Sequence, residues 1–138
     1  MSRFKRNIAV IAGLTMLSFA GALQAQNVGL TRIPVTKGEI SIPDREAVIS
    51  KTEIAAGGVA GWHTHPGDEM SYLMEGEMIL TLAGQAPRKI TAGEGFIIPA
   101  GVPHHAKNES ATTTVKLLGV FAVEKGKPLA SPATEPAK

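Results

Sequence analysis

The 138-residue sequence contains no cysteine, which excludes disulfides, thiolate metal sites and cysteine nucleophiles together. It also lacks any helical 3.6-residue apolar period sustained over a useful window, and 15 glycines and 9 prolines punctuate it; long helices are therefore not expected. No internal repeat is visible, so solenoids and propellers are excluded. No G-x-S-x-G arrangement occurs, which leaves a nucleophile triad without support. There is no Lys/Arg stripe interleaved with aromatics, and hence no electrostatic footprint for nucleic acid. What remains is a chain long enough for one domain with a modest core.

The formal charge of +2 is concentrated at the start. Arg3, Lys5 and Arg6 precede an apolar stretch from Ile8 to Leu23, interrupted only by Thr15 and Ser18. A basic segment, an apolar segment and small residues at its end form a secretory signal peptide. The stretch is short for a membrane span, which wants roughly 20 apolar residues. Cleavage is expected after Ala25, with Ala22 as the alternative site. An intact Met1 in the exported protein would instead mark a retained anchor. Removing the first 25 residues leaves 11 Lys and Arg against 12 Asp and Glu, a formal charge of −1. Arg3 and Arg6 are separated, so there is no twin arginine and general secretion is expected, to a periplasmic or extracellular destination with no stable membrane span after cleavage.

From residue 26 to 125, short runs with strand character alternate with Gly and Pro. Strands are predicted at Gly29–Val35, Ala47–Ile54, Gly61–His65, Met70–Met74, Glu77–Leu82, Arg88–Thr91, Gly95–Ile98, His104–Lys107 and Thr112–Val123. Glu75-Gly76 is a tight-turn signal and Ala83–Pro87 a longer hairpin loop. Nine strands without space for crossover helices predict an antiparallel all-β fold, a barrel or two paired sheets. Residues 126–138, with Pro128, Pro132 and Pro136 among small and polar residues, read as a disordered tail.

All four histidines fall in two clusters. In a strand, His63 and His65 leave the same face, and the Pro66-Gly67-Asp68 turn can return Glu69 beside them. His104 follows about 40 residues later, and only the folded chain can deliver it to the same point. Three neutral imidazoles and one carboxylate suit a divalent first-row metal, whereas the same cluster buried without one is poorly compensated. His105 breaks the parity of His104 and is expected to point to the surface.

These positions resemble the two motifs of the cupin superfamily. The first, G-x5-H-x-H-x3,4-E-x6-G, reads here as Gly57, His63, His65, Glu69 and Gly76. The second, G-x5-P-x-G-x2-H-x3-N, reads as Gly93, Pro99, Gly101, His104 and Asn108. The motifs stand 16 residues apart, a spacing similar to that of small bacterial single-domain cupins of the quercetin dioxygenase-like type. The resemblance implies an antiparallel β-barrel of the jelly-roll or double-stranded β-helix type, with metal ligands His63, His65, Glu69 and His104. It also implies a homodimer, with the segment Leu30–Ile42 available to pack across the partner's sheet.

Beside that pattern, Asn108 reads as a turn former rather than a ligand. Met70, Met74 and Met78 are assigned to an outer layer or an oligomer contact rather than to copper. Trp62 should face away from the metal, Ser71 has the parity of Glu69, and no further acid or base is expected in the cavity. Mn, Fe or Ni is the expected ion, with Zn or Cu as alternatives. The expected activity is that of a metal-dependent, dioxygenase-type oxidoreductase acting on a small organic molecule. The alternatives are a metal-dependent isomerase, lyase or decarboxylase, and a binding or sensing module without turnover.

Overall fold

The computed structural model describes residues 27–137; the expected signal peptide, with both candidate cleavage sites, lies outside them. Nine strands follow in chain order: β1 (Val28–Glu39), β2 (Arg45–Thr64), β3 (Gly67–Glu75), β4 (Glu77–Leu82), β5 (Arg88–Thr91), β6 (Gly95–Ile98), β7 (His104–Lys107), β8 (Val115–Glu124) and β9 (Ser131–Pro132). They are antiparallel and hydrogen-bonded in the order β5-β4-β7-β2-β8-β3-β6, with β1 and β9 also paired to β2. The sheet curls into a nearly closed barrel, as the strand pattern predicts. Among the described residues no helix is long and apolar enough to cross a membrane.

Four predicted strands, from Glu77 to Lys107, have the observed boundaries. The exception with structural meaning is β2, which runs through two predicted strands and the Gly57-Gly58 pair between them. Its first half, Arg45 to Ile54, pairs with β8, and beyond the glycines Val59, Ala60 and His63 pair with β7. Gly57 takes φ +69°, a left-handed conformation that favours glycine, and a Cβ on Gly58 would lie 2.7 Å from the Val28 carbonyl oxygen. The two glycines thus let one strand change partners without ending.

Asn108 holds this bend. Its side chain is fully buried, and the two N–H groups of its Nδ2, one of them shared, serve the carbonyls of Ile54 (3.0 Å), Ala55 (3.0 Å) and Thr113 (2.7 Å). Its Oδ1 accepts from the Ser110 backbone N–H at 3.0 Å, and its own N–H donates to Gly58 O. The residue satisfies backbone groups freed where β2 leaves β8.

Along β3 the two-residue alternation is clean. Gly67, Glu69, Ser71 and Leu73 point inward, while Asp68, Met70, Tyr72 and Met74 point out. Gly67 is required by space: a Cβ there would stand 2.0 Å from Ala122 O of β8. The inner faces bury Ile54, Leu73, Met78, Leu80, Ile90, Phe96, Val115 and Leu117 in one apolar cluster. Met78 therefore belongs to the core and not, as its spacing from Met70 and Met74 suggests, to the outer layer. Gly76 (φ +82°) turns the chain between β3 and β4 and resets the parity.

Residues 126–138, expected from composition to be a disordered end, are in the described part laid back on the barrel. β9 pairs Pro132 with His63 and Ser131 with Thr64, and the Ala133 N–H donates to Trp62 O at 2.9 Å. Low apolar content does not prevent this docking, because the exposed edge of β2 supplies backbone partners.

Candidate metal centre

The H-x-H pair lies near the end of β2, Glu69 on the inward face of β3, and His104 at the start of β7. Because β2 pairs with β7 with His63 opposite His104, strand register alone brings the two motifs together. His63, His65, Glu69 and His104 are all buried. The ring centroids of His63 lie 4.1 Å from His104 and 4.9 Å from His65. Each of the three imidazoles presents a nitrogen to a common point, all within 4.8 Å of one another. His65 packs its edge on Phe121 at 4.8 Å, which fixes the ring plane.

The backbone sets the tautomers. Nδ1 of His63 lies 2.6 Å from Gly61 O, Nδ1 of His65 2.5 Å from Leu129 O, and Nδ1 of His104 2.9 Å from Val102 O. A carbonyl oxygen can only accept, so in each ring Nδ1 carries the proton and Nε2 holds the lone pair. Nε2 of His65 is 3.0 Å from Glu69 Oε2, and Nε2 of His104 is 3.5 Å from the same oxygen. Yet both nitrogens are buried without an aligned hydrogen-bond partner. Lone pairs facing a carboxylate oxygen are mutually repulsive unless a cation or proton lies between them. This donor set fits a divalent ion, with the carbonyls of Gly61, Leu129 and Val102 orienting the rings behind it.

Electrostatics agree with a site of neutral imidazoles and one carboxylate. Burial pushes His63 down to about 3, and the neighbouring His104 adds to the shift. For Glu69, burial acts to raise the carboxyl, but contacts with His104, His65 and Ser71 outweigh it and hold the group well below the usual carboxylate range; the two imidazole contacts have that effect only where a proton or a cation lies between nitrogen and oxygen. Ser71 Oγ donates to Glu69 Oε1 at 2.6 Å, leaving Oε2 for the imidazole side. Asp68 is exposed and points out, and its Oδ1 accepts from the Ala100 N–H at 2.9 Å. That bond ties the Pro99–Pro103 loop, which delivers His104, to the strand carrying Glu69.

His105 lies on the opposite face from His104, half-buried, and stacks on Trp62 with centroids 5.5 Å apart. Neither residue reaches the histidine cluster. Two features of the site were not visible in the sequence. One is the Leu129 carbonyl behind His65, a backbone group from the C-terminal segment with no side-chain signature. The other is Arg32, on β1, which lines the inner cavity with His63, Glu69 and His104 where no additional charged group was expected.

The match of this chain to known proteins agrees with the geometry. The family model described as a cupin domain matches residues 50–121, from β2 through most of β8. The chain is a cupin. Among curated proteins, this cupin is similar to nectarin-1 of Nicotiana plumbaginifolia, 38% identical over 65 residues, covering 44% of this chain and 28% of that protein. It is also similar to the rhicadhesin receptor of Pisum sativum, 31% identical over 110 residues, covering 76% of this chain and 47% of that protein. It thus spans about a quarter to a half of the length of these relatives. Among solved structures, the DMSP lyase DddQ from Ruegeria pomeroyi superposes with a TM-score of 0.62 at 17% identity, covering 79% of this chain and 54% of that one. At that identity the likeness is one of fold.

The tail contact gives a direct expectation. Deleting residues 128–138 removes the acceptor of the His65 Nδ1 proton and frees the ring to turn. Divalent-metal affinity should fall about tenfold, the scale on which partners behind metal ligands act. Isothermal titration with Co(II) measures this, and unchanged affinity would show that Phe121 packing alone orients the ring.

Proposed function

We propose that this cupin is an exported metalloenzyme of the dioxygenase-oxidoreductase type. In this reading His63, His65, Glu69 and His104 hold one divalent ion, Mn, Fe or Ni in preference to Zn or Cu, beside a small organic substrate. The observation that carries it is the convergence of three buried imidazoles on one point, with the Nε2 atoms of His65 and His104 facing Glu69 Oε2 and each ring's Nδ1 proton held by a backbone carbonyl. A bound ion supplies Lewis acidity and, with iron or manganese, access to redox chemistry. The protein's part is to exclude water and shape the approach. Apart from the ligands, the inner cavity is walled largely by apolar side chains such as Ile54, Leu80, Phe96 and Phe121. Ser71 keeps one Glu69 oxygen occupied, so the carboxylate presents a single oxygen to the imidazoles.

The basic and apolar segments ahead of residue 26 support export to the periplasm or the medium. Exposed Ile33, Val35 and Ile42 near the N-terminal strand support a homodimer. The bound partner is a small molecule, and no nucleic acid is involved.

Oxygen uptake by the Mn-, Fe- and Ni-loaded protein, measured with compact enediol and small carboxylic-acid substrates as well as flavonoid-like ones, tests the activity. Consumption with one of these ions is the expected result, and no uptake with any would refute the oxygenase reading. Anaerobic turnover would identify an isomerase, lyase or decarboxylase instead. Tight binding with the ligand recovered unchanged would identify a binding module.

A further inference from the structure

Arg32 stands between two small cavities that meet beside the histidine cluster. It lies on β1 opposite Thr52 of β2. With His63 it lines both the inner cavity, about 30 Å³, and an outer one of about 70 Å³. Asn27, Leu30, Gly61, Trp62 and Ala130 complete the outer wall. Its Nε is buried without a hydrogen-bond partner. Among the described residues no carboxylate makes an ion pair with its guanidinium; Glu69, the nearest in electrostatic effect, acts on it only through space. A guanidinium presents five donors in a planar fork that matches a carboxylate. Leaving it unpaired in a cavity is costly unless something supplies the acceptor.

The charge count points the same way. Three neutral imidazoles and one carboxylate leave a divalent ion with one uncompensated positive charge, and Arg32 adds a second within the same low-polarity space. Size limits the occupant: the outer cavity corresponds to about two waters' share of liquid volume. Resting on the metal centre proposed above, we infer that Arg32 recognises the carboxylate of a compact organic anion that enters past Trp62 and Ala130, so that the natural ligand is a small carboxylic acid rather than a neutral molecule. Arg32 acts here as a specificity residue and not as a metal ligand.

The test uses the full exported chain loaded with Co(II), whose visible spectrum reports both metal uptake and ligand entry, and compares acetate with its neutral isostere acetamide. Cobalt titration of the wild type, Arg32→Gln and Arg32→Lys comes first. Neither substitution should weaken uptake, since Gln removes a charge that repels the ion and Lys retains it. Acetate is then expected to perturb the wild-type spectrum at concentrations at which acetamide does not. Its affinity should fall about tenfold or more in Arg32→Gln, with Arg32→Lys in between because it keeps the charge and loses the fork. Equal acetate affinity in wild type and Arg32→Gln, with cobalt uptake intact, would overturn the role of Arg32 alone. So would acetamide binding as tightly as acetate. Failure of the wild type to take up cobalt would overturn the metal centre and this inference with it.

Discussion

His63→Ala is expected to lower divalent-metal affinity by about a hundredfold or more, while His105→Ala leaves it unchanged. Loss of a group that merely orients a ligand costs roughly ten- to a hundredfold, so loss of a ligand itself should reach or exceed the top of that range. The two residues make a fair comparison, because both are histidines on strands of the same pair. His63 shares its nitrogens' meeting point with His65 and His104, whereas His105 is stacked on Trp62 on the other face. Calorimetric titration with Co(II), alongside thermal unfolding of the metal-free proteins, separates ligand loss from misfolding. Equal affinities in the two variants would show that the cluster does not coordinate.

Asn108→Ala is expected to destabilise the metal-free protein by about 4 kcal/mol. The side chain's two N–H groups, one of them shared, serve three carbonyls and its oxygen accepts one N–H, and the residue is entirely buried. Alanine would leave those groups without their side-chain partner; each buried polar group so orphaned costs about 1–3 kcal/mol. Asn108→Asp should be at least as damaging despite its nearly identical shape. The aspartate oxygen replacing Nδ2 cannot donate when ionised and would face three carbonyl oxygens. Urea unfolding of wild type and both variants measures the difference. An aspartate variant as stable as wild type would show that shape, and not donation, is what the bend requires. Since this bend directs the second half of β2 toward β7, both variants should also weaken metal binding through misplacement of His63.

The clustering of His63, His65 and His104 beside Glu69 was legible because strand geometry makes it so. His63 and His65 share a face by period alone, and the fixed gaps around Gly57, Glu69, Pro99 and Asn108 leave few other arrangements. The outward parity of Met70, Tyr72 and Trp62 followed from the same alternation. Illegible features depend on contacts between distant segments. The direction of Arg32 is set by its register against Thr52, and a one-residue slip would send it outward. The anchoring of residues 131–133 and the Leu129 carbonyl rest on backbone hydrogen bonds, which any composition can make. The continuity of β2 was hidden because two adjacent glycines read equally well as a turn or as a bulge. The spacing of four that links Met78 to Met70 and Met74 crosses the Gly76 turn, which changes which face is inside, so Met78 is in the core.

The change of partners along β2 bears on how the molecule comes apart. One strand contributes to the ladders of β1, β7, β8 and β9, so neither half of the barrel can open without breaking pairing in the other. Amide protons of Arg45–Ile54 and of Val59–His63 should accordingly exchange with solvent as a single cooperative unit. Uptake of a cation at one end of that strand would then slow exchange at the far end as well, by mass action on a shared unfolding equilibrium.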